Sequence, residues 1–302
     1  MENAKVKEFF TSLKRAACEA GRSVADFFKK VFQNKKAAAG FCILMLFVLM
    51  AIFGPLIFPY DPTVDYENRY APFSWQHIFG TDNLGRDVFR QLVAGSGSVL
   101  TIALLTGVFT VFIGVFLGIL SGYAGGVVDK VIQGVTNIVL TIPSFPVMLV
   151  LAAIFTIEDP FTFALVLSAW SWAGLCRAVR AQVMSLRERD FIQICKVMKM
   201  SRTHIIVKEL MPNIASYILI NFIMTMRSAI TGSVGIMMLG LAAYDPTNWG
   251  SMLSNAQAQG LVNPKVIPVL LVPLVTIIIF QAGAILFSNG LDEILNPRLR
   301  IG

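Results

Sequence analysis

Charge is scarce in this chain. Of its 302 residues only 14% are Asp, Glu, Lys or Arg and 56% are hydrophobic, whereas a soluble domain carries about 25% charged residues. Too few polar side chains remain to cover a soluble fold, and the apolar content excludes disorder as well. The histidines are His77 and His204 alone, so a metal centre or His-based catalysis would have to be built almost without imidazole. The cysteines Cys18, Cys42, Cys176 and Cys195 form no CxxC and no His/Cys cluster, which argues against a disulfide framework or a zinc site. Cys42 and Cys176 lie in or beside apolar runs and read as small core hydrophobes. There is no GxxxxGK[ST] phosphate loop, so energy from a nucleotide would have to come through a partner. Internal repeats and low-complexity tracts are also missing.

What is present is a set of long apolar runs: 40–58, 99–120, 131–157, 161–175, 214–241 and 266–287. A bilayer core takes about 20 predominantly apolar residues as helix. The runs therefore predict six transmembrane helices in one all-α polytopic domain. The fourth run is short and should extend past Leu175, and the third carries Pro143 and Pro146, which predict a kink. The first run begins well inside the chain without a small-residue cleavage site and reads as a retained anchor.

The positive charges are distributed unevenly. With the N-terminus inside, the segments 1–37, 121–130, 176–213 and 288–302 hold 20 Lys and Arg residues, and the segments 59–98, 158–160 and 242–265 hold 4. Lys and Arg mark the cytoplasmic side, so the expected topology is N-in and C-in. The net charge of +7 then reflects topology and contact with an anionic leaflet, not a nucleic-acid footprint. Residues 1–37 form a separate arm. In it Phe9, Phe10, Leu13, Ala17, Val24, Phe27, Phe28 and Val31 recur at roughly helical spacing among lysines and arginines. That pattern suits a helix lying in the inner interface or docking on a partner subunit. Residues 38–302 are the membrane domain, with an outer segment 59–98 and a cytoplasmic loop 176–213.

The loop is amphipathic. Asp190 followed by Gln193 has capping-box spacing, so a helix should start at Asp190. Phe191, Ile194 and Met198 then share a face. Ser201 can cap a second helix carrying Ile205, Ile206 and Leu210, and Pro212 should end or kink it. A short helix with an apolar patch in a basic surround fits a partner's groove, or packs back on the bundle.

Four motifs carry a resemblance. The loop reads Arg180-Ala-Gln-Val-Met-Ser-Leu-Arg-Glu-Arg-Asp-Phe191 and closes on Leu210-Met-Pro-Asn213. The outer segment reads Phe79-Gly-Thr-Asp-Asn-Leu-Gly-Arg-Asp-Val-Phe89. After the fifth run come Leu239-Gly-Leu and Pro246-Thr-Asn-Trp-Gly250, then Met252-Leu253. The tail is Asn289-Gly-Leu-Asp-Glu-Ile-Leu-Asn-Pro-Arg-Leu-Arg300. Together, over roughly 40–300, they resemble the permease subunits of peptide and nickel ABC importers. The resemblance implies a type I importer permease that pairs with a second, similar permease. It implies two ATP-binding subunits that carry the ATP and Mg2+, and an extracytoplasmic binding protein. An oligopeptide or dipeptide substrate is expected in preference to nickel or another small solute, because no His/Cys/Met ligand cluster lies near Arg227. The chain itself is expected to bind no cofactor or metal and, without a phosphate loop, to be no enzyme on its own.

On that resemblance the ATPase-coupling residues are Asp190, Phe191, Gln193, Ile194, Lys196, Met198, Lys199, Ser201, Pro212 and Asn213. The chain departs from the family there. Gln193 stands where the family has Glu, Ile194 and Cys195 where it has Ala, and Lys199 where it has Gly. Gln193 can still bond the N-cap amide. A non-Gly residue at a left-handed helix exit costs about 1 kcal/mol, so the turn is reshaped or Lys199 pairs with the partner. In the outer motif, Gly80 and Gly85 permit tight turns, Asp82 can form an Asx turn, and Arg86 can pair with Asp82 or Asp87. With Thr81, this set reads as a structural staple or as a contact for the binding protein. Val88, Phe89, Leu92 and Val93 should follow as an interfacial helix.

The pathway and gate candidates are Arg227, Asn221, Thr225 and Trp249. Arg227 is the one formal charge deep in a run, and a central Arg costs about 2.5–3.5 kcal/mol on insertion scales. It must face the bundle interior or an aqueous path, either to meet a substrate carboxylate or to bond a neighbouring subunit or backbone carbonyls. Trp249 suits an interface anchor or an outer gate. A secondary transporter would be expected to carry intramembrane carboxylates, and the runs have essentially none. An intramembrane enzyme lacks its catalytic set here. A non-transporting scaffold is favoured only by the Gln193 and Lys199 departures.

Overall fold

A computed structural model describes residues 25–242, 245–260 and 263–295. The first 24 residues, which hold most of the amphipathic arm, lie outside the described part, as do Cys18 and the last five residues of the tail motif. Among the described residues the structure is helical, and its only extended pairing is an isolated bridge between Thr81 and Asp87.

Helix α1 spans Lys35–Ile57, capped by the Asn34 side chain, which accepts from the amides of Lys36 and Ala37. A helical stretch at 25–33 precedes it, burying Val31 and setting Phe28 edge-on to Phe41. Helix α2 (Val88–Ala124) starts on the Asp87 cap and runs 37 residues, about 55 Å at 1.5 Å per residue, well beyond a hydrocarbon core of about 30 Å. Val88, Leu92 and Val93 are buried in it. The expected interfacial helix is therefore the first two turns of the second span, packed into the core.

The third apolar run is broken. Helix α3 (Gly126–Thr141) and helix α4 (Ser144–Ile154) meet at an angle of 89°. Ile142, which precedes Pro143, has φ −88° and ψ 128°, the extended geometry that a following proline ring enforces. Pro146 sits in the first turn of α4, where its missing N–H costs nothing. The expected kink is thus a full break.

Helix α5 (Pro160–Arg187) begins on Asp159, whose carboxylate accepts from the amides of Phe161 and Thr162, with proline at the first helical position. It runs twelve residues past Leu175 before a short helix α6 (Asp190–Val197). Helix α7 covers Arg202–Met238. Pro212 does not end it: a π-helical turn at Ile205–Leu210 immediately precedes the proline and absorbs it into a continuous helix. Helix α8 (Trp249–Ala258) and helix α9 (Ile267–Leu295) complete the order. Among the described residues five helices are long and apolar enough to cross a membrane, and the count is six where the bent α3–α4 pair is taken as one span.

Two interfaces hold the bundle together. The most extensive packing is α2 on α5, where Gly114, Gly118 and Gly122 form a stripe at i, i+4 and i+8. A Cβ at Gly118 would lie 2.8 Å from the Cys176 carbonyl oxygen, so the two backbones are in contact. Small residues let helices approach in lipid, where water supplies no hydrophobic drive between them. The second interface sets α1 on α9. There Asn34 Nδ2 donates to Glu293 Oε2 at 2.8 Å and Lys36 Nζ to Glu293 Oε1 at 2.6 Å. Both ends of the described chain therefore lie at one end of the bundle, here the basal end. Cys176 is buried as expected, but Cys42 is exposed on the outside of α1 and belongs to no core.

Candidate functional site

Three regions gather the candidate residues. The first is α6 at the basal end. Ile192 and Cys195 are buried in a separate basal core with Val179, Val183, Ile205 and Leu210. Phe191, Ile194, Val197 and Met198 point away from it and are exposed, Val197 at 82%. The helix begins at Asp190 as the spacing predicts, but no capping box forms. Arg189 is the N-cap without a side-chain bond, and Gln193 Nε2 donates instead to the Arg187 carbonyl at 2.9 Å. That carbonyl belongs to the last turn of α5, whose acceptors lack helical partners. It competes successfully for the amide.

The exit of α6 is a Schellman turn. Met200 N donates to Cys195 O and Lys199 N to Lys196 O, both at 3.0 Å, with Lys199 at φ +55°. The left-handed turn persists without glycine, so it is not reshaped. Ser201 accepts from the His204 amide as the cap of α7, and Asn213 Nδ2 donates to the Glu209 carbonyl. Lys196 and Lys199 are exposed beside the apolar patch. Of the two bulkier positions only Ile194 lies on the outward face, since Cys195 faces in.

The second region is the outer segment. Asp82 is 1% exposed. Its carboxylate accepts from the amides of Leu84 and Arg86, from Arg86 Nε at 2.9 Å and from Gln91 Nε2 at 3.0 Å. Arg86 Nη2 stands 2.7 Å from it. Arg86 pairs with Asp82 and not with Asp87, whose carboxylate caps α2 and meets His77 Nδ1 at 2.9 Å. Thr81 Oγ1 donates to the Asn68 carbonyl and accepts from Ala71 N. Gly85 has φ +79°, and a Cβ there would strike the Asp65 carbonyl. Gly80 is also left-handed, at φ +73°. Asn255 of α8 ties to Asn83 at 3.0 Å. The motif is thus a buried knot that fastens the outer segment to α2 and α8. In the same segment the Asn68 amide donates to Asp65 and holds its carboxyl below the usual 3.8.

The third region is a cavity of about 870 Å³ beside the α3–α4 break. Arg227, Asn221 and Thr225 line it, with Gln281 from α9 and Trp170 from α5. Asn221 and Thr225 bond back to their own helix, to the Tyr217 and Asn221 carbonyls. Trp249 is not there. It is fully buried, its Nε1 donates to the Leu92 carbonyl at 3.0 Å and its ring lies against Phe47. It anchors α8 in the core and is exposed neither at a membrane interface nor in the cavity.

Sequence reasoning missed two elements of these regions. Asp129 and Arg180 form a two-pronged ion pair at 2.5 and 2.6 Å between α3 and α5. Gln281 donates to the Arg227 carbonyl and to Thr231 Oγ1. Both join residues about fifty positions apart, and no local pattern marks them.

Comparison with known proteins places the chain. The family described as the binding-protein-dependent transport system inner membrane component matches residues 114–301. The N-terminal transmembrane domain of oligopeptide transport permease C matches residues 24–72. The metal-staphylopine import system permease protein CntC of Staphylococcus aureus is 34% identical over 90% of this chain and 93% of its own length. The oligopeptide transport system permease protein OppC of Bacillus subtilis is 31% identical over 88% and 87%. The glutathione transport system permease protein GsiD of Shigella dysenteriae is 30% identical over 91% and 90%. With five long apolar helices and a bent sixth pair, and relatives matched along nearly their whole length, this chain belongs to the inner-membrane permease family of binding-protein-dependent ABC importers, a multi-pass component of the bacterial cytoplasmic membrane.

Proposed function

We propose that this chain forms one half of the pathway of an ATP-driven importer of oligopeptides or dipeptides. In this reading α6 and the turns leading into α7, over 190–211, couple the pathway to ATP-binding subunits. The observation that carries the coupling role is the division of α6. Ile192 and Cys195 anchor it in the basal core, while Phe191, Ile194, Val197 and Met198 stay exposed. Apolar side chains held on a rigid, anchored helix suit a partner's groove. Two ATP-binding subunits hold the ATP and Mg2+, a second similar permease completes the pathway, and an extracytoplasmic binding protein delivers substrate. This chain contributes no catalytic group to hydrolysis and binds no cofactor. Closure of the ATP-binding pair pushes on α6, and the basal core passes that motion to α2, α5 and α7.

Two relatives are named for oligopeptide and glutathione transport and one for a metal complex. Among the described residues no three His, Cys, Asp or Glu side chains are placed to hold a metal ion. The cavity instead offers a cation, amides and hydroxyls. These features favour a peptide over nickel.

The test is purification of the tagged protein from detergent-solubilised native membranes. Two ATP-binding subunits and a second permease should co-purify. A cysteine introduced at Gln193 should crosslink to an ATP-binding subunit. Purification alone or as a homo-oligomer would refute the reading.

A further inference from the structure

The cavity beside the α3–α4 break holds a half-buried arginine with one orphaned donor. Arg227 is the one charged residue in its lining. Its Nε is buried and has no hydrogen-bond partner among the described residues. Gln281 donates its N–H groups to the Arg227 carbonyl and to Thr231, and among the described residues no hydrogen bond joins its side-chain oxygen to the guanidinium, which needs an acceptor. The Thr225 and Ser228 hydroxyls donate back along α7. A buried donor left unbonded costs about 1–3 kcal/mol, and more when charged. A ligand or water entering the cavity can meet such a donor.

The rest of the lining states what the ligand looks like. Phe145, Met148, Trp170 and Met224 add apolar surface to the lining. Pro143, Ser144 and Phe145, the opening residues of α4, line the same space. Their helix start has no side-chain cap and adds partial positive charge. A guanidinium offers paired N–H groups that match the two oxygens of a carboxylate.

We infer that Arg227 is a recognition site for the carboxylate of the transported substrate, with apolar side chains of that substrate against Trp170 and Met224. The inference rests on the importer reading above and adds to it that the membrane pathway itself selects, favouring peptides with a free C-terminal carboxylate over their amides.

The experiment uses the intact complex in proteoliposomes, with Arg227→Gln and Arg227→Lys variants and two probes. The first is chemical. Ser228→Cys in the cavity is modified by a sulfonate-bearing and an ammonium-bearing thiosulfonate, with the chain lacking that cysteine as the background. The anionic-to-cationic rate ratio should fall about tenfold when Arg227→Gln is added and hold when Arg227→Lys is added. The second is uptake of a tripeptide and of its C-terminal amide. Arg227→Gln should cut kcat/KM for the free acid about 10–100-fold and change the amide less than about threefold, and Arg227→Lys should restore most of the loss. An unchanged reagent ratio overturns the inference. Equal losses on acid and amide also overturn it, because Arg227 would then be structural. If the unsubstituted complex moves neither peptide, the peptide reading fails by itself, and the reagent ratio still decides whether the cavity attracts anions.

Discussion

Lys199 holds φ +55° at the exit of α6, a conformation in which an L side chain is strained and glycine is not. Lys199→Gly should therefore stabilise the Schellman turn by about 1 kcal/mol. Amide hydrogen exchange should read this as roughly fivefold more protection at Met200. Unchanged protection would mean that the lysine side chain already offsets its backbone cost. A second residue-scale prediction concerns Asp82 and Arg86, both buried. Asp82→Leu strands a guanidinium and should cost about 3–5 kcal/mol, whereas Asp82→Leu with Arg86→Met should cost clearly less. Thermal unfolding of the detergent-solubilised protein distinguishes the two. Nearby Asp65 is held below its usual range by Asn68. Its folded form favours the ionised carboxylate, so its contribution is complete above about pH 3.8 and is lost as pH falls through the lower folded value. Limited proteolysis of the outer segment should accelerate below that point, and less so for Asn68→Ala, which lacks the bond from the start. Legibility at this scale depended on reach. The left-handed turn at Lys199 was legible only through the resemblance, which puts glycine at that position, and it forms without glycine because it needs only its own helix. The capping box could not, because the Arg187 carbonyl that captures Gln193 belongs to the preceding helix.

Among the elements, the helices were legible and their ends were not. Apolar runs report what lies in hydrocarbon, and a helix continues beyond it wherever other chain segments cover it. Residues 94–98 read as Ala-Gly-Ser-Gly-Ser, a poor apolar run, yet Gly95 lies in a tight approach to the Thr247 backbone and α2 passes straight through. Pro143 and Pro212 show the limit of reasoning from proline alone. One breaks its span by 89°, and the other rides on a π-helical turn, because tertiary packing decides whether the lost hydrogen bond is worth a break. The α2–α5 stripe yields an element-scale prediction. At Gly118 even a Cβ meets the Cys176 carbonyl at 2.8 Å, so the rigid backbone of α5 must move. Gly118→Leu should abolish a stable monodisperse protein in detergent. Gly134→Leu, at a position with nothing within 4 Å, should leave the elution profile unchanged. If both variants elute alike, close backbone approach does not hold the bundle.

At the scale of the molecule, parity of the spans follows from contact and orientation follows from charge. The bond from Asn34 to Glu293 sets the two ends of the described chain side by side, which requires an even number of crossings and agrees with six. No sequence pattern could join residues 259 positions apart; the count of apolar runs foretold the parity without knowing the contact. Which end faces the cytoplasm rests on the 20 Lys and Arg residues of the basal segments against 4 in the others, an asymmetry that sets orientation during insertion. The structure supplies reporters for both ends. Trp75 in the outer segment is fully exposed and Val197 on α6 is 82% exposed, so a cysteine at either site meets reagent without disturbing a core. In intact cells, or in spheroplasts where an outer membrane intervenes, a membrane-impermeant maleimide should label Trp75→Cys at once. It should label Val197→Cys only after the membrane is permeabilised. The reverse pattern would place α6 outside, away from any ATP-binding partner, and would overturn the coupling role and the orientation together. Labelling of both sites in sealed cells would deny that the segment between them crosses the bilayer an odd number of times, and the broken α3–α4 pair would then be a re-entrant hairpin and not a span.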